Sequence, residues 1–196
     1  MWLYVVFLLS GFAALLYQLV WQRALFNIYG IDITSVTVVV TVFMLGLGVG
    51  SLVGGELSRR APRSALRLFA LVELAAGAFG IFSLPLFELV ARHTIYETRL
   101  VTGLVTFFLL LVPTTLMGAT LPLLVGHATR LSRNVGRSVG SLYFVNTLGA
   151  ALGSFAAAVV LLGHLGLAAT TWTAAGINFA VGAAVLILSH RELQTA

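Results

Sequence analysis

Six long apolar stretches follow one another along the chain, separated by short segments that carry arginine, glycine or other polar residues. Crossing the hydrocarbon core of a bilayer takes about 20 apolar residues in an α-helix, which also satisfies its own backbone hydrogen bonds in lipid. The pattern therefore predicts an all-α, polytopic membrane protein with a single transmembrane domain, residues 1–196. Its six helices are expected at about residues 3–26, 35–57, 66–91, 100–126, 135–162 and 168–188.

Composition excludes the other architectures. Hydrophobic residues make up 60% of the chain and charged residues 9%, whereas about a quarter of a soluble domain is charged. An outer-membrane barrel needs short strands that alternate apolar and polar residues, and runs such as residues 156–162 show no alternation. The first stretch lacks a basic segment before it, so we expect a retained helix rather than a signal peptide.

The arginines are unevenly distributed between the two sides of the predicted bundle. All eleven basic residues are arginine, and eight of them follow the second, fourth and sixth helices. Positively charged loops stay in the cytoplasm, so we expect a bacterial-type inner membrane protein with both termini cytoplasmic. The net charge of +5 reflects this bias, and no nucleic-acid partner is expected because no basic stripe alternates with aromatic residues. The topology arginines are Arg59, Arg60, Arg63, Arg67, Arg130, Arg133 and Arg137.

The sequence lacks the residues that most catalytic and metal sites use. Cysteine is absent, and Asp32 is the only aspartate. The four histidines fall at helix ends or in loops, without the paired spacing of a helical metal site. We therefore expect no metal, no cofactor and no enzymatic activity from this chain alone.

Small residues recur every four positions in two helices. Such spacing lets helix backbones approach closely, either as static packing or as an interface that slides during transport. Two prolines, Pro113 and Pro122, fall within the fourth helix and should kink it. The packing positions are Gly46, Gly50 and Gly54 in the second helix, and Gly149, Gly153 and Ala157 in the fifth.

Polar side chains at membrane depth are costly, and they often mark a functional site. Gln18, Glu73, Asn146 and Asn178 form the candidate intramembrane polar site. For Glu73 a proton or cation site competes with a carboxylate that is hydrogen-bonded to neighbouring helices. Arg23 and Glu88 both lie near the outer ends of their helices, and we expect them to form an ion pair.

Six segments carry a resemblance to a known family, namely residues 10–23, 43–50, 54–60, 71–74, 116–122 and 136–150. They resemble the membrane domain of spermidine synthase-like proteins, in which a bundle similar to half of a major facilitator transporter is fused to a soluble aminopropyltransferase-like domain. The resemblance covers most of the chain and implies a six-helix bundle of two three-helix repeats (3+3). Gln18 stands where that family usually has glutamate, and the soluble domain has no counterpart here.

Three functions are compatible with the sequence. The first is a transport-like bundle, handling polyamines or small cations, that would dimerise to form a pathway. The second is a non-catalytic accessory or scaffold subunit of a larger membrane complex. The third is a membrane anchor or regulator of a separate spermidine synthase-like enzyme. The expected partners are therefore the lipid bilayer and either other membrane subunits or a second copy of the chain.

Overall fold

The computed structural model describes residues 2–29, 33–94 and 96–194, and these residues are helical apart from short connections. A 3-10 turn at Pro62–Ser64 precedes the third helix, and a π-helical turn at Ala157–Leu161 and a final turn at Leu162–His164 continue the fifth. The six long helices are α1 (Trp2–Tyr29), α2 (Ile33–Arg60), α3 (Ala65–Thr94), α4 (Arg99–Ser132), α5 (Val135–Ala156) and α6 (Gly166–Gln194).

All six helices are long and apolar enough to cross a membrane. The predicted all-α six-helix bundle is therefore confirmed, and the chain is an integral, multi-pass membrane protein. Asp32 and the side chains of Arg99 and Arg191 lie outside the described part of the structure.

The helices extend beyond the predicted spans, most clearly at the end of α4. This helix continues through Pro113 and Pro122 as far as Ser132. It ends where Arg133 adopts a left-handed conformation with φ of 53°. Asn134 then caps α5, since its Oδ1 accepts a hydrogen bond of 2.9 Å from the backbone N–H of Arg137. Hydropathy marks only the apolar part of a helix, whereas capping residues determine where it ends.

Helices that pack together are mostly not consecutive in the chain. The most extensive contacts join α2 to α4, α1 to α5 and α3 to α6, followed by α3 to α4 and α1 to α6. The helices therefore succeed one another in space in the order α2, α4, α3, α6, α1, α5. α3 and α6 occupy the centre of this order, and α2 and α5 occupy its two ends.

Two hydrophobic clusters fill the interior. The first, the aromatic cluster, is built around Tyr17, Trp21, Phe43 and Phe87. The second, the aliphatic cluster, consists of Val6, Phe7, Leu66, Phe69, Leu123, Leu124, Leu142, Val181 and Val185, together with smaller residues. Outside these clusters, large apolar side chains such as Leu52 and Phe144 are exposed. A surface of this kind is suited to the acyl chains of a bilayer.

Candidate functional site

A partly enclosed cavity of about 120 Å³ lies inside the bundle, and all six helices contribute to its wall. A space of this size holds several water molecules or one small ligand. The polar side chains in its wall are Ser10, Gln18, Glu73, Thr120, Asn146 and Asn178, and the apolar wall includes Phe43, Leu47 and Met117. The structure thus brings all four predicted intramembrane polar residues to one cavity.

Glu73 is the acidic group of the cavity. It lies on α3 and is only 2% exposed. Its Oε1 accepts a hydrogen bond of 2.5 Å from the hydroxyl of Ser10 on α1, whereas its Oε2 is buried without a hydrogen-bond partner. Among the residues that the structure describes, no arginine or histidine forms an ion pair with it. The charge that balances an ionised Glu73 therefore has to come from outside these residues.

Asn178 contributes a second unsatisfied oxygen. Its side chain is 4% exposed, and its Oδ1 is buried without a partner. The residue lies about halfway along the membrane-spanning part of α6. Gly77 of α3 packs directly against it, because a methyl group at Gly77 would contact the Cβ of Asn178. The central contact of α3 with α6 therefore holds Glu73 and Asn178 in the same wall of the cavity.

Asn146 and Gln18 are only half-buried. A side chain at Gly11 of α1 would overlap both the backbone carbonyl and the Oδ1 of Asn146. Asn146 is therefore held against α1 by close packing. Gln18 follows Ser10 by eight residues, so two turns of α1 place both side chains on the cavity side of the helix.

Hydrophobic packing separates the cavity from both ends of the bundle. Along α1, Phe7 of the aliphatic cluster precedes the cavity residues, and Trp21 of the aromatic cluster follows them. Along α6 the order is reversed, since Ala174 of the aromatic cluster precedes Asn178 and Val181 of the aliphatic cluster follows it. The cavity therefore lies between two layers of packed apolar side chains.

The aromatic cluster is fixed by hydrogen bonds as well as by packing. Tyr17 stacks on Trp21 with 5.0 Å between ring centroids. The indole N–H of Trp21 donates to the hydroxyl of Ser83 at 3.0 Å, and that hydroxyl donates to the backbone carbonyl of Gly80 at 2.8 Å. The hydroxyl of Tyr17 is buried without a partner. The sequence analysis did not identify Ser10, Tyr17 or Ser83. Only Ser10 had a signal in the sequence, since its spacing from Ala14 and Gln18 places all three on one face of α1.

The predicted glycine positions lie at close helix contacts. A methyl group added to any of them would overlap backbone or side-chain atoms of the neighbouring helix. On α2 these contacts are Gly46 with Thr114, Gly50 with Thr115 and Gly118, and Gly54 with Ala119; on α5 they are Gly149 with Leu8 and Gly153 with Phe12. Ala157 is fully buried at the start of the π-helical turn.

The expected ion pair between Arg23 and Glu88 is not formed in this structure. Both side chains are exposed, and the ion pairs within 4 Å in the described part of the chain join Glu56 to Arg59 and to Arg60. Exposed charges near a helix end keep their solvation and need no partner. The topology arginines are all exposed, and they lie at the end of α2, around the start of α3, at the end of α4 and at the start of α5.

Comparisons of the chain with protein-family models, with curated proteins and with solved structures find no match. The resemblance to spermidine synthase-like membrane domains therefore stays a prediction from the sequence. Within the described residues there is also no group of three histidine, cysteine, aspartate or glutamate side chains that could hold a metal ion. The site is thus defined by its geometry: one buried carboxylate and several amide and hydroxyl groups around a cavity between two apolar layers.

Proposed function

We propose that the protein is a transport-like membrane protein that binds a small cation in the cavity beside Glu73. The observation that carries the proposal is Glu73, which lines the cavity and whose Oε2 is buried without a hydrogen-bond partner. A carboxylate in a membrane interior is costly unless it is balanced by a nearby positive charge. A cation in the cavity supplies that charge and also accepts coordination from the neighbouring amide oxygens.

The surroundings of the cavity support a transport-like role. A substrate in this position is shielded from both ends of the bundle by the aromatic and aliphatic clusters. Glycine contacts join α2 to α4 and α1 to α5, and interfaces between small residues leave no interlocked side chains to oppose a shift of one helix along another. Rocking of such units around a central site is the usual basis of alternating access.

The arginine distribution supports the finer localisation that we propose, in a bacterial-type inner membrane with both termini cytoplasmic. The loop after α2 and the loop after α4 lie at the same end of the bundle, since α2 and α4 pack side by side in the same direction. Reporter fusions at the C-terminus and within the α2–α3 loop test this orientation, and a periplasmic signal at either position would contradict it. We also propose that this chain is not itself an enzyme.

A second candidate function is that of an accessory or scaffold subunit. α5, α4 and α2 are the least buried of the six helices, since only 17%, 22% and 28% of an 18-residue apolar stretch in each is buried. Either lipid or another membrane protein, including a second copy of the chain, can cover these faces. A soluble spermidine synthase-like enzyme anchored by the exposed arginines is the third candidate, and the resemblance alone supports it.

Cation binding to the protein purified in mild detergent tests the first proposal. We expect calorimetry to detect binding of a small cation by the wild type and to lose it in the variant Glu73→Gln. The matched control is Glu88→Gln, which removes an exposed acid from the same helix and should leave binding unchanged. Equal binding by the wild type and Glu73→Gln would contradict the site, and stable co-purification with other membrane proteins without cation binding would favour the subunit.

A further inference from the structure

Two helix interfaces of the bundle repeat the same set of close contacts. Between α1 and α5 the contacts are Gly11 with Asn146, Gly149 with Leu8 and Gly153 with Phe12. Between α4 and α2 they are Gly118 with Leu47, Gly50 with Thr115 and Gly54 with Ala119. Corresponding residues on α1 and α4 are 107 positions apart, namely Leu8 and Thr115, Gly11 and Gly118, and Phe12 and Ala119. Corresponding residues on α5 and α2 are 99 positions apart, namely Asn146 and Leu47, Gly149 and Gly50, and Gly153 and Gly54.

The contact of α3 with α6 repeats upon itself in the same way. Gly77 of α3 faces the carbonyl of Ala175 and the ring of Phe179. Gly182 of α6 faces the carbonyl of Ala70 and the side chain of Leu74. The corresponding residues on α3 and α6, namely Gly77 and Gly182, Ala70 and Ala175, and Leu74 and Phe179, are each 105 positions apart.

These constant spacings relate helices α1–α3 to helices α4–α6 by an approximate two-fold axis. The spacing of 105 positions also separates Glu73 from Asn178, so the two residues occupy equivalent places in the two halves. Both line the cavity, and each has one buried oxygen without a partner, Oε2 of Glu73 and Oδ1 of Asn178. One position of the pair thus carries an acid, and its equivalent carries a neutral amide.

We propose that the cavity binds one monovalent cation between Glu73 and Asn178, either a metal ion or a single alkylammonium group. This proposal rests on the cation-binding function proposed above. One carboxylate balances one positive charge, and the amide oxygen supplies a second acceptor from the opposite half. A divalent ion or a polyamine would bring additional charge into a cavity that has no second acid, and charge without a counter-charge is costly at this depth.

The charge of the ligand is tested first on the wild-type protein. Purified protein is titrated by calorimetry with sodium, potassium and methylammonium chloride, and separately with magnesium, calcium and putrescine, at constant ionic strength. We expect at least one monovalent cation to bind about tenfold or more tightly than any divalent ion or putrescine. Comparison of the metal ions with methylammonium distinguishes the two sources of the single charge. If a divalent ion or putrescine binds more tightly, and this binding is lost in Glu73→Gln, the monovalent assignment is wrong but the proposed function still holds. If the wild type binds no cation, both the assignment and the proposed function are wrong.

The equivalence of the two positions is tested by exchanging them. Glu73→Asn alone should weaken binding of the monovalent cation about tenfold or more, and Glu73→Asn combined with Asn178→Glu should restore most of it. The control combines Glu73→Asn with Gln18→Glu, which places an acid elsewhere in the wall and should restore little. The two positions are not equivalent if the control restores cation binding to the same extent as the exchange. They are also not equivalent if the exchange variant elutes as a folded species but does not regain binding. Asn178→Glu alone provides an independent measurement, since two carboxylates in one cavity should shift the preference towards divalent ions.

Discussion

The glycine interfaces and the cavity adjoin each other on the same helices, and Gly11, Leu47 and Asn146 belong to both. Where α2 meets α4 and α1 meets α5, backbones touch so closely that a single methyl group would overlap the neighbour. Beside these contacts the same bundle leaves a space of about 120 Å³, and two of the side chains in its wall, Glu73 and Asn178, have buried oxygens without partners. One face of a helix can therefore combine close backbone contact with a neighbour and side chains that line an open space.

Enlarging a glycine at a close contact should have the largest effect on stability. Gly50→Leu places a side chain against the carbonyl of Thr115, and we expect a loss of about 3 kcal/mol or more, since the backbone of α4 has to move. Gly48→Leu is the matched control on the same helix, because no atom lies within 4 Å of its Cβ position. Thermal unfolding in detergent compares the two; equal melting temperatures would show that the α2–α4 contact contributes little.

Removal of a hydrogen bond in the aromatic cluster should have an intermediate effect. Ser83→Ala leaves the buried indole N–H of Trp21 without its acceptor, which costs about 1–3 kcal/mol. Trp21→Phe removes the donor and part of the ring stacking. The control is Trp172→Phe, because Trp172 is 62% exposed. If Ser83→Ala or Trp21→Phe is as stable as this control, the aromatic cluster is loosely packed.

A cavity variant should separate binding from stability. Asn178→Leu removes a buried oxygen that has no partner in the structure, so we expect the free energy of unfolding to change by less than about 1 kcal/mol or to rise. Cation binding should nevertheless be weakened, because the second acceptor is gone. Calorimetry and thermal unfolding on one preparation give both quantities. If Asn178→Leu reduces cation binding and stability together, Asn178 is a packing residue instead.

The smallest effect is expected at the exposed end of α2. Glu56 pairs with Arg59 and Arg60, yet exposed pairs contribute between zero and about 1 kcal/mol. Glu56→Gln should therefore leave both the melting temperature and cation binding within error of the wild type. Glu97→Gln serves as a comparison, since Glu97 is exposed outside the long helices. A marked loss of stability in Glu56→Gln alone would show that this end of the bundle carries more of the fold than its exposure indicates.

The fold was accessible from the sequence because hydropathy and helix length are one-dimensional signals. The cavity could be predicted only in part. Gln18, Glu73, Asn146 and Asn178 stand out as polar residues at membrane depth, but their convergence depends on which helices pack together. Arg23 and Glu88 lie at similar depths in their helices, yet they do not form the ion pair that was expected from this. Ser10 escaped notice because a lone serine is common in apolar helices, and only the position of α1 beside α3 gives it a role.

The order of the helices in space also has a consequence for how the chain is made. α1 and α2 emerge from the ribosome before the other four helices but touch each other little; α1 packs chiefly on α5 and α6, which emerge after α3 and α4, and α2 packs on α4. α1 therefore has to persist in the bilayer without its final neighbours until α5 and α6 have been synthesised. Its apolar span of 27 residues permits this, because a helix in lipid satisfies its own backbone. Assembly of the bundle is thus a late event, and a chain truncated before α5 would leave its first helix without its main partner.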